Sequence, residues 1–116
     1  NGIKALTRLA ECNIHCIGTG GTVFNSCLAF VGESACCGVE QYYADICFFS
    51  CRGLSKDGIL TDISQEENMV RKRMIAHAKA SYVICTEGKL GKQYFHRLCD
   101  AGELAGVISA ETLRQS

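Results

Sequence analysis

Two short runs of uninterrupted apolar residues, each closed by a polar, glycine-bearing segment, constrain this chain more than any other feature. Ile46 to Phe49 is followed by Ser50-Cys-Arg-Gly-Leu-Ser-Lys-Asp-Gly58, and Tyr82 to Cys85 by Thr86-Glu-Gly-Lys-Leu-Gly91. Runs of this length, rich in aromatic and β-branched residues, predict strands covered on both faces, as in parallel sheets. Open α/β sheets bind their ligands where such strands end. The segment from Ser50 to Gly58 offers hydroxyls, a cation, a carboxylate and two glycines at that place. It reads equally well as an ordinary connection to the next helix.

The other segments alternate with these strands. Ile3 to Glu11 places Ile3, Leu6, Leu9 and Ala10 on one face and predicts a short amphipathic helix. Ile14 to Ile17 predicts a strand, ended by Gly18-Thr-Gly-Gly21, which either turns sharply or lets backbone pass close to a ligand. That pattern falls short of a dinucleotide-binding fingerprint. Cys27 to Val31 is a further apolar run, and Glu33 to Tyr43 a helix that Gly38 weakens. Ser64-Gln-Glu-Glu67 fits a capping box and opens a helix from Gln65 to Ala80, with Val70, Met74 and Ala78 as its inner stripe. Tyr94 to Leu98 reads as a short strand or turn, Gly106 to Ile108 as the last strand, and Glu111 to Ser116 as a frayed tail. The alternation predicts an α/β fold, a mainly parallel sheet with helices on both faces, in which the strands at Ile14 to Ile17, Ile46 to Phe49 and Tyr82 to Cys85 lie centrally.

With 116 residues the chain is one domain, long enough for a real core. Twelve basic residues balance twelve acidic ones, and the one basic cluster, Arg71-Lys72-Arg73, falls inside a predicted helix. That balance excludes an electrostatic footprint for nucleic acid on this stretch. No apolar run approaches membrane-spanning length. The sequence opens on Asn1 without a methionine or an apolar leader, as expected of a mature or trimmed fragment with no targeting segment. Its nine cysteines are odd in number, sit largely within apolar stretches and include no Cys-x-x-Cys, which argues against disulfides and zinc. Buried free thiols in a cytoplasmic protein, with no cofactor and no metal, are the expectation. Cys51, beside Arg52, stays open as a reactive thiol. His15, His77 and His96 fall outside the polar loops and read as structural. Lys89, in a glycine-bearing loop at a strand terminus, suits an anionic ligand as a mobile point charge, or is a solvated surface lysine.

Taken together, Tyr43-Ala-Asp45, Phe48-Phe49, Gly53-Leu-Ser-Lys-Asp-Gly58, Glu67 with Val70-Arg-Lys72-Arg-Met74-Ile, and Lys89-Leu-Gly91 resemble the C-terminal sensor domain of DeoR-type bacterial transcriptional regulators. The order and spacing match over roughly residues 1 to 110. The resemblance implies a fold similar to ribose-phosphate isomerases, glucosamine-phosphate deaminases and CoA transferases. It implies a sensor, not an enzyme, for a phosphorylated sugar or related metabolite in a regulator that is a repressor of sugar metabolism genes. Such regulators reach operator DNA through an N-terminal winged helix-turn-helix, which lies outside residues 1–116, as does the first βα unit of the sensor domain. It implies homo-oligomers and no membrane partner.

The resemblance also proposes a ligand site. Asn1 looks like the asparagine of the family's Thr-Asn segment, Gly20, Gly21 and Gly53 would admit ligand close to backbone, Asp45, Glu67 and Lys72 would orient or brace polar groups, and Lys89 would meet the phosphate. Thr86 stands where the family usually has an aspartate three residues before the loop lysine. The related deaminases continue the Asp-Gly of their loop with a histidine needed for chemistry. Here Asp57-Gly58 is followed by Ile59, which cannot move a proton. A small sugar-phosphate isomerase or deaminase using Asp45, Asp57 and Glu67 is the alternative reading, and an oligomerisation module without ligand a third.

Overall fold

In chain order the elements are α1 (Ile3–Glu11), β1 (Thr22–Phe24), β2 (Ala29–Val31), α2 (Glu33–Glu40), β3 (Ala44–Ser50), β4 (Gly53–Leu54), β5 (Ile59–Asp62), α3 (Gln65–Ala76), β6 (Ala78–Ile84), β7 (His96–Asp100) and β8 (Gly106–Ile108). The computed structural model describes residues 2–24 and 28–109. Asn1, Cys27 and the expected tail from Glu111 lie outside the described residues. The fold is α/β, with a parallel sheet ordered β3-β6-β8, a β1-β2 hairpin and an antiparallel sheet ordered β4-β5-β7.

Burial along β3 and β6 alternates, so the two strands divide cleanly into faces. Cys47, Phe49, Val83 and Cys85 point inward and pack with Leu54, Leu60 and Leu98 from the antiparallel sheet, while Met74 and Ile75 of α3 close the cluster. A second cluster joins α2 to α3 through Ala35, Cys36 and Val70. The apolar runs predict cover on both faces, yet in the isolated chain the outer face of this sheet is open. Ile46, Phe48 and Ile84 are exposed there, and Phe48 stacks on Tyr82 with ring centroids 5.8 Å apart.

Three expectations are corrected. Residues 14–17 form no strand: Ile14 and Ile17 are exposed, and the chain leaves α1 through a left-handed Asn13 (φ 59°) into an irregular segment. An apolar run makes a strand only when a partner strand satisfies its backbone, and among the described residues none pairs here. Among the described residues β6 therefore lies between β3 and β8, and β3 has a partner on one side only. The helix from Gln65 ends at Ala76 with His77 as its cap, and Ala78 already pairs with Ala44, so Ala78 belongs to β6, not to the helix stripe. The segment from Gly53 is a hairpin: Gly53 and Leu54 pair with Thr61 and Leu60, and the Gly58 N–H donates to the Ser55 carbonyl across the turn.

Candidate functional site

The C-terminal ends of β3 and β6 open into a cavity of about 520 Å³, where an α/β sheet places its ligands. Ser50, Cys51 and Arg52 come from the end of β3, Asp62 from the end of β5, Glu67 and Arg71 from α3, and Thr86, Gly88 and Lys89 from the turn after β6; Lys92 and Tyr94 complete the wall. Each is held locally. A 3-10 turn over Glu87–Lys89 fixes Lys89, whose N–H donates to the Thr86 carbonyl at 3.0 Å, and the Gly91 N–H donates to the Leu54 carbonyl at 2.7 Å. The Tyr94 N–H donates to Thr61 Oγ1 at 2.8 Å. These bonds tie the lysine-bearing segment to the antiparallel sheet.

Behind the cavity stands a buried polar network. Ser64 caps α3 by accepting the Glu67 N–H at 3.1 Å, and the Ser64 N–H donates in turn to Asp62 Oδ1 at 3.0 Å. One turn of helix separates Glu67 from Arg71, so the pair meets at i, i+4 with 3.7 Å between charged atoms. Arg71 also donates to Asp62 Oδ2 at 2.8 Å and to Asn68 Oδ1 at 2.9 Å. Because a guanidinium only donates, the Asn68 oxygen must face it, which turns the Asn68 amide group to His96 Nδ1 at 2.9 Å. Burial pushes the Asp62 carboxyl up, but the Ser64 N–H, the Arg71 charge and hydrogen bond, and the Ile63 N–H outweigh it and hold the group below its ordinary value.

Four cationic side chains line the cavity against two carboxylates. Arg71 is engaged by Asp62 and Glu67, and Arg52 approaches Asp62 at 3.6 Å. Lys89 and Lys92 make no ion pair among the described residues, so the positive excess sits on them. The arrangement suits a small anionic molecule with polar edges. Burial, and secondarily Cys85, push the Cys51 thiol up to about 11 against the opposing charges of Arg71 and Lys89, so Cys51 is a buried thiol and not the reactive one left open above. The described cysteines are all free. Among the described residues no histidine lines the cavity, and no group of three or more His, Cys, Asp or Glu is placed to hold a metal.

Of the residues proposed from the sequence, the structure brings Glu67 and Lys89 together on this cavity. Asp45 lies at the opposite end of β3, exposed and 3.8 Å from Lys79. Lys72 is exposed on α3 outside the lining. Gly20 and Gly21 lie outside the lining: a Cβ at Gly20 would meet nothing within 4 Å, whereas Gly21 has φ 115° and sits against β2 and α2, where a Cβ would stand 2.7 Å from the Val31 carbonyl. Gly53 is buried against the lysine segment, where a Cβ would meet the Lys92 carbonyl at 2.6 Å. Its lack of a side chain lets that segment close on the sheet. Asn1 lies outside the described residues. Asp62, Arg71, Lys92 and Tyr94 were not anticipated, and Arg52 only as part of the polar segment from Ser50. The i, i+4 spacing of Glu67 and Arg71 was a signal for one of them.

Fold and site together define an α/β domain with a cation-lined cavity at the C-terminal end of its parallel sheet. The family model described as the DeoR C terminal sensor domain matches residues 1–111, and the chain belongs to that family. It is 26% identical over 110 residues to the uncharacterized HTH-type transcriptional regulator YulB of Bacillus subtilis (strain 168), covering 94% of this chain and 43% of the relative. It is 31% identical over 90 residues to a lactose phosphotransferase system repressor of Staphylococcus epidermidis, covering 78% of this chain and 36% of the relative. The corresponding repressor of Staphylococcus aureus is 27% identical over 89 residues, 77% of this chain and 35% of its own length. The chain spans less than half the length of the curated relatives it matches. No helix among the described residues is long and apolar enough to cross a membrane.

Proposed function

We propose that this domain senses a phosphorylated sugar or a related anionic metabolite on behalf of a cytoplasmic transcriptional repressor of sugar metabolism genes, and catalyses no reaction. The observation that carries the reading is the pair of lysines, Lys89 and Lys92, at the C-terminal end of a parallel sheet, to which no carboxylate among the described residues is committed. Lys89 receives the phosphate as a mobile charge, and Glu67 and Arg71 meet hydroxyl groups from the cavity floor. The naming of two relatives as lactose phosphotransferase repressors favours a sugar-derived effector. Operator DNA is contacted by a part of the regulator outside residues 1–116, and the regulator works as a homo-oligomer.

Thermal denaturation of the full-length protein with a panel of hexose phosphates and their parent sugars tests this. A ligand at a hundred times its dissociation constant stabilises the state it binds by about 2.7 kcal/mol. A phosphorylated sugar should raise the Tm and its parent sugar should not. Equal shifts by both would remove the phosphate from the account.

A further inference from the structure

The Arg71 guanidinium reaches the cavity wall from α3, and its plane is set from behind. Nη1 donates to Asp62 Oδ2 at 2.8 Å and to Asn68 Oδ1 at 2.9 Å, which takes up both of its hydrogens, and Nη2 then lies 3.7 Å from Glu67 Oε1. Asn68 is fully buried, and its amide nitrogen meets His96 twice, at Nδ1 (2.9 Å) and at the backbone carbonyl (3.3 Å). Asn68 and His96 both lie outside the cavity lining. We infer that His96 is a positioning residue of the effector site: its neutral imidazole accepts from Asn68 through Nδ1, and this bond holds Arg71 in its binding direction. The inference rests on the sensing reading above and adds to it a proton-linked control of the same site.

Donor and acceptor chemistry fixes every orientation in this chain of contacts. The guanidinium only donates and the His96 carbonyl only accepts, so the Asn68 oxygen faces Arg71 and its NH₂ faces His96. That leaves Nδ1 as an acceptor and puts the proton of the neutral ring on Nε2. A proton added at Nδ1 would set two donors against each other. Turning the Asn68 amide over would not relieve this, because its oxygen would then face the His96 carbonyl and its NH₂ the guanidinium. Protonation therefore expels the Asn68 side chain from its place, and Nη1 of Arg71 is held from the Asp62 side alone. The charged groups around the ring are mixed in sign. His96 is the register partner of Asp62 in β5, α3 carries Glu67, Arg71 and Lys72 within a turn of Asn68, and Arg97 beside it in β7 is engaged by Asp100 and Glu103. Asp62, held below its ordinary value, stays ionised through the range in which a histidine changes charge.

Calorimetric titration of the full-length protein with the hexose phosphate that raises its Tm, at about pH 8 and about pH 5, tests the inference. Wild type is compared with His96→Ala, which has no acceptor, and with His96→Asn, whose Oδ1 stands where Nδ1 does and takes up no proton in this range. At the higher pH His96→Ala should bind about fivefold more weakly than wild type, as the loss of one hydrogen bond predicts, and His96→Asn should restore the affinity. At the lower pH wild type should fall to the level of His96→Ala while His96→Asn keeps its lead. The ligand's own phosphate titrates equally in all three titrations and cancels from their ratios. A wild type that tracks His96→Asn at both pH values would make His96 a structural side chain, overturning the inference and leaving the sensing reading in place. If no phosphorylated sugar binds wild type at either pH, both fall. Nitrogen NMR of the isotope-labelled wild type gives a readout independent of the variants' folding. At the higher pH the His96 ring should carry its proton on Nε2 alone, and a proton on Nδ1 there would overturn the inference.

Discussion

The two ends of the parallel sheet carry the same kinds of charged group and treat them in opposite ways. At the C-terminal ends, Asp62 and Arg71 are 2.8 Å apart with side chains 4% and 11% exposed, and Ser64, Glu67 and Asn68 complete their partners. At the N-terminal ends, Asp45 and Lys79 approach to 3.8 Å with side chains 91% and 84% exposed, near the stacked rings of Tyr43 and His77. Burial commits the first pair, because a charge taken out of water must find its partner inside. Water already solvates the second. The contrast explains which cations are left for a ligand: Arg71 is spent on the framework, and Lys89 and Lys92 at the rim are not.

The sharpest break in this comparison is Arg71→Met. It removes the buried cation that Asp62 and Glu67 share and should lower stability by about 3–5 kcal/mol in chemical denaturation. A loss below about 1 kcal/mol would mean that the two ends do not differ in kind. Asn68→Ala comes next, since it leaves one Arg71 donor and the His96 ring without their partner. It should cost about 1–3 kcal/mol by the same measurement.

Acid provides a third test, with its sign set by Asp62. Its folded pKa lies below the unfolded value of about 3.9, so its stabilisation is complete above that value and disappears as the pH falls through the folded one. Wild type should exceed Asp62→Asn in Tm at neutral pH, and the gap should close below about pH 4. A gap that stays constant through this range would assign the effect to shape instead of charge. The smallest effect belongs to Asp45→Asn, for which a change in Tm indistinguishable from zero is expected.

Features that rest on neighbours in sequence were legible before the structure. The Ser64 cap of α3 depends on residues three apart in sequence: the Ser64 hydroxyl accepts the Glu67 N–H as the pattern predicts, while the Ser64 N–H donates to Asp62 and so leaves the expected box half formed. Lys89 was legible as a cation in a loop after a strand. What failed depends on partners distant in the chain. Residues 14–17 have the composition of a strand, but strand formation is decided by pairing, which composition does not encode. Gly53 and Gly58 were read as ligand-loop glycines because turn residues look alike at a hairpin and at a binding loop. The role of Asn68 joins Arg71 on its own helix to His96, 28 residues later, and only the packing of α3 against β7 brings these together. Asp45 was misplaced for a simpler reason. It stands second in the strand whose far end holds the site, and six residues of extended chain span roughly 20 Å.

The central claim is that the rim lysine, and not the buried arginine, meets the ligand's charge. Its most direct test is the affinity of full-length Lys89→Ala for the phosphorylated sugar that shifts the wild-type Tm. A lost charge-assisted contact of about 1.5–3 kcal/mol predicts binding weakened by about one to two orders of magnitude, with the unphosphorylated sugar binding poorly to both proteins. Unchanged affinity in a variant that keeps its fold would make Lys89 a solvated surface lysine and contradict the account.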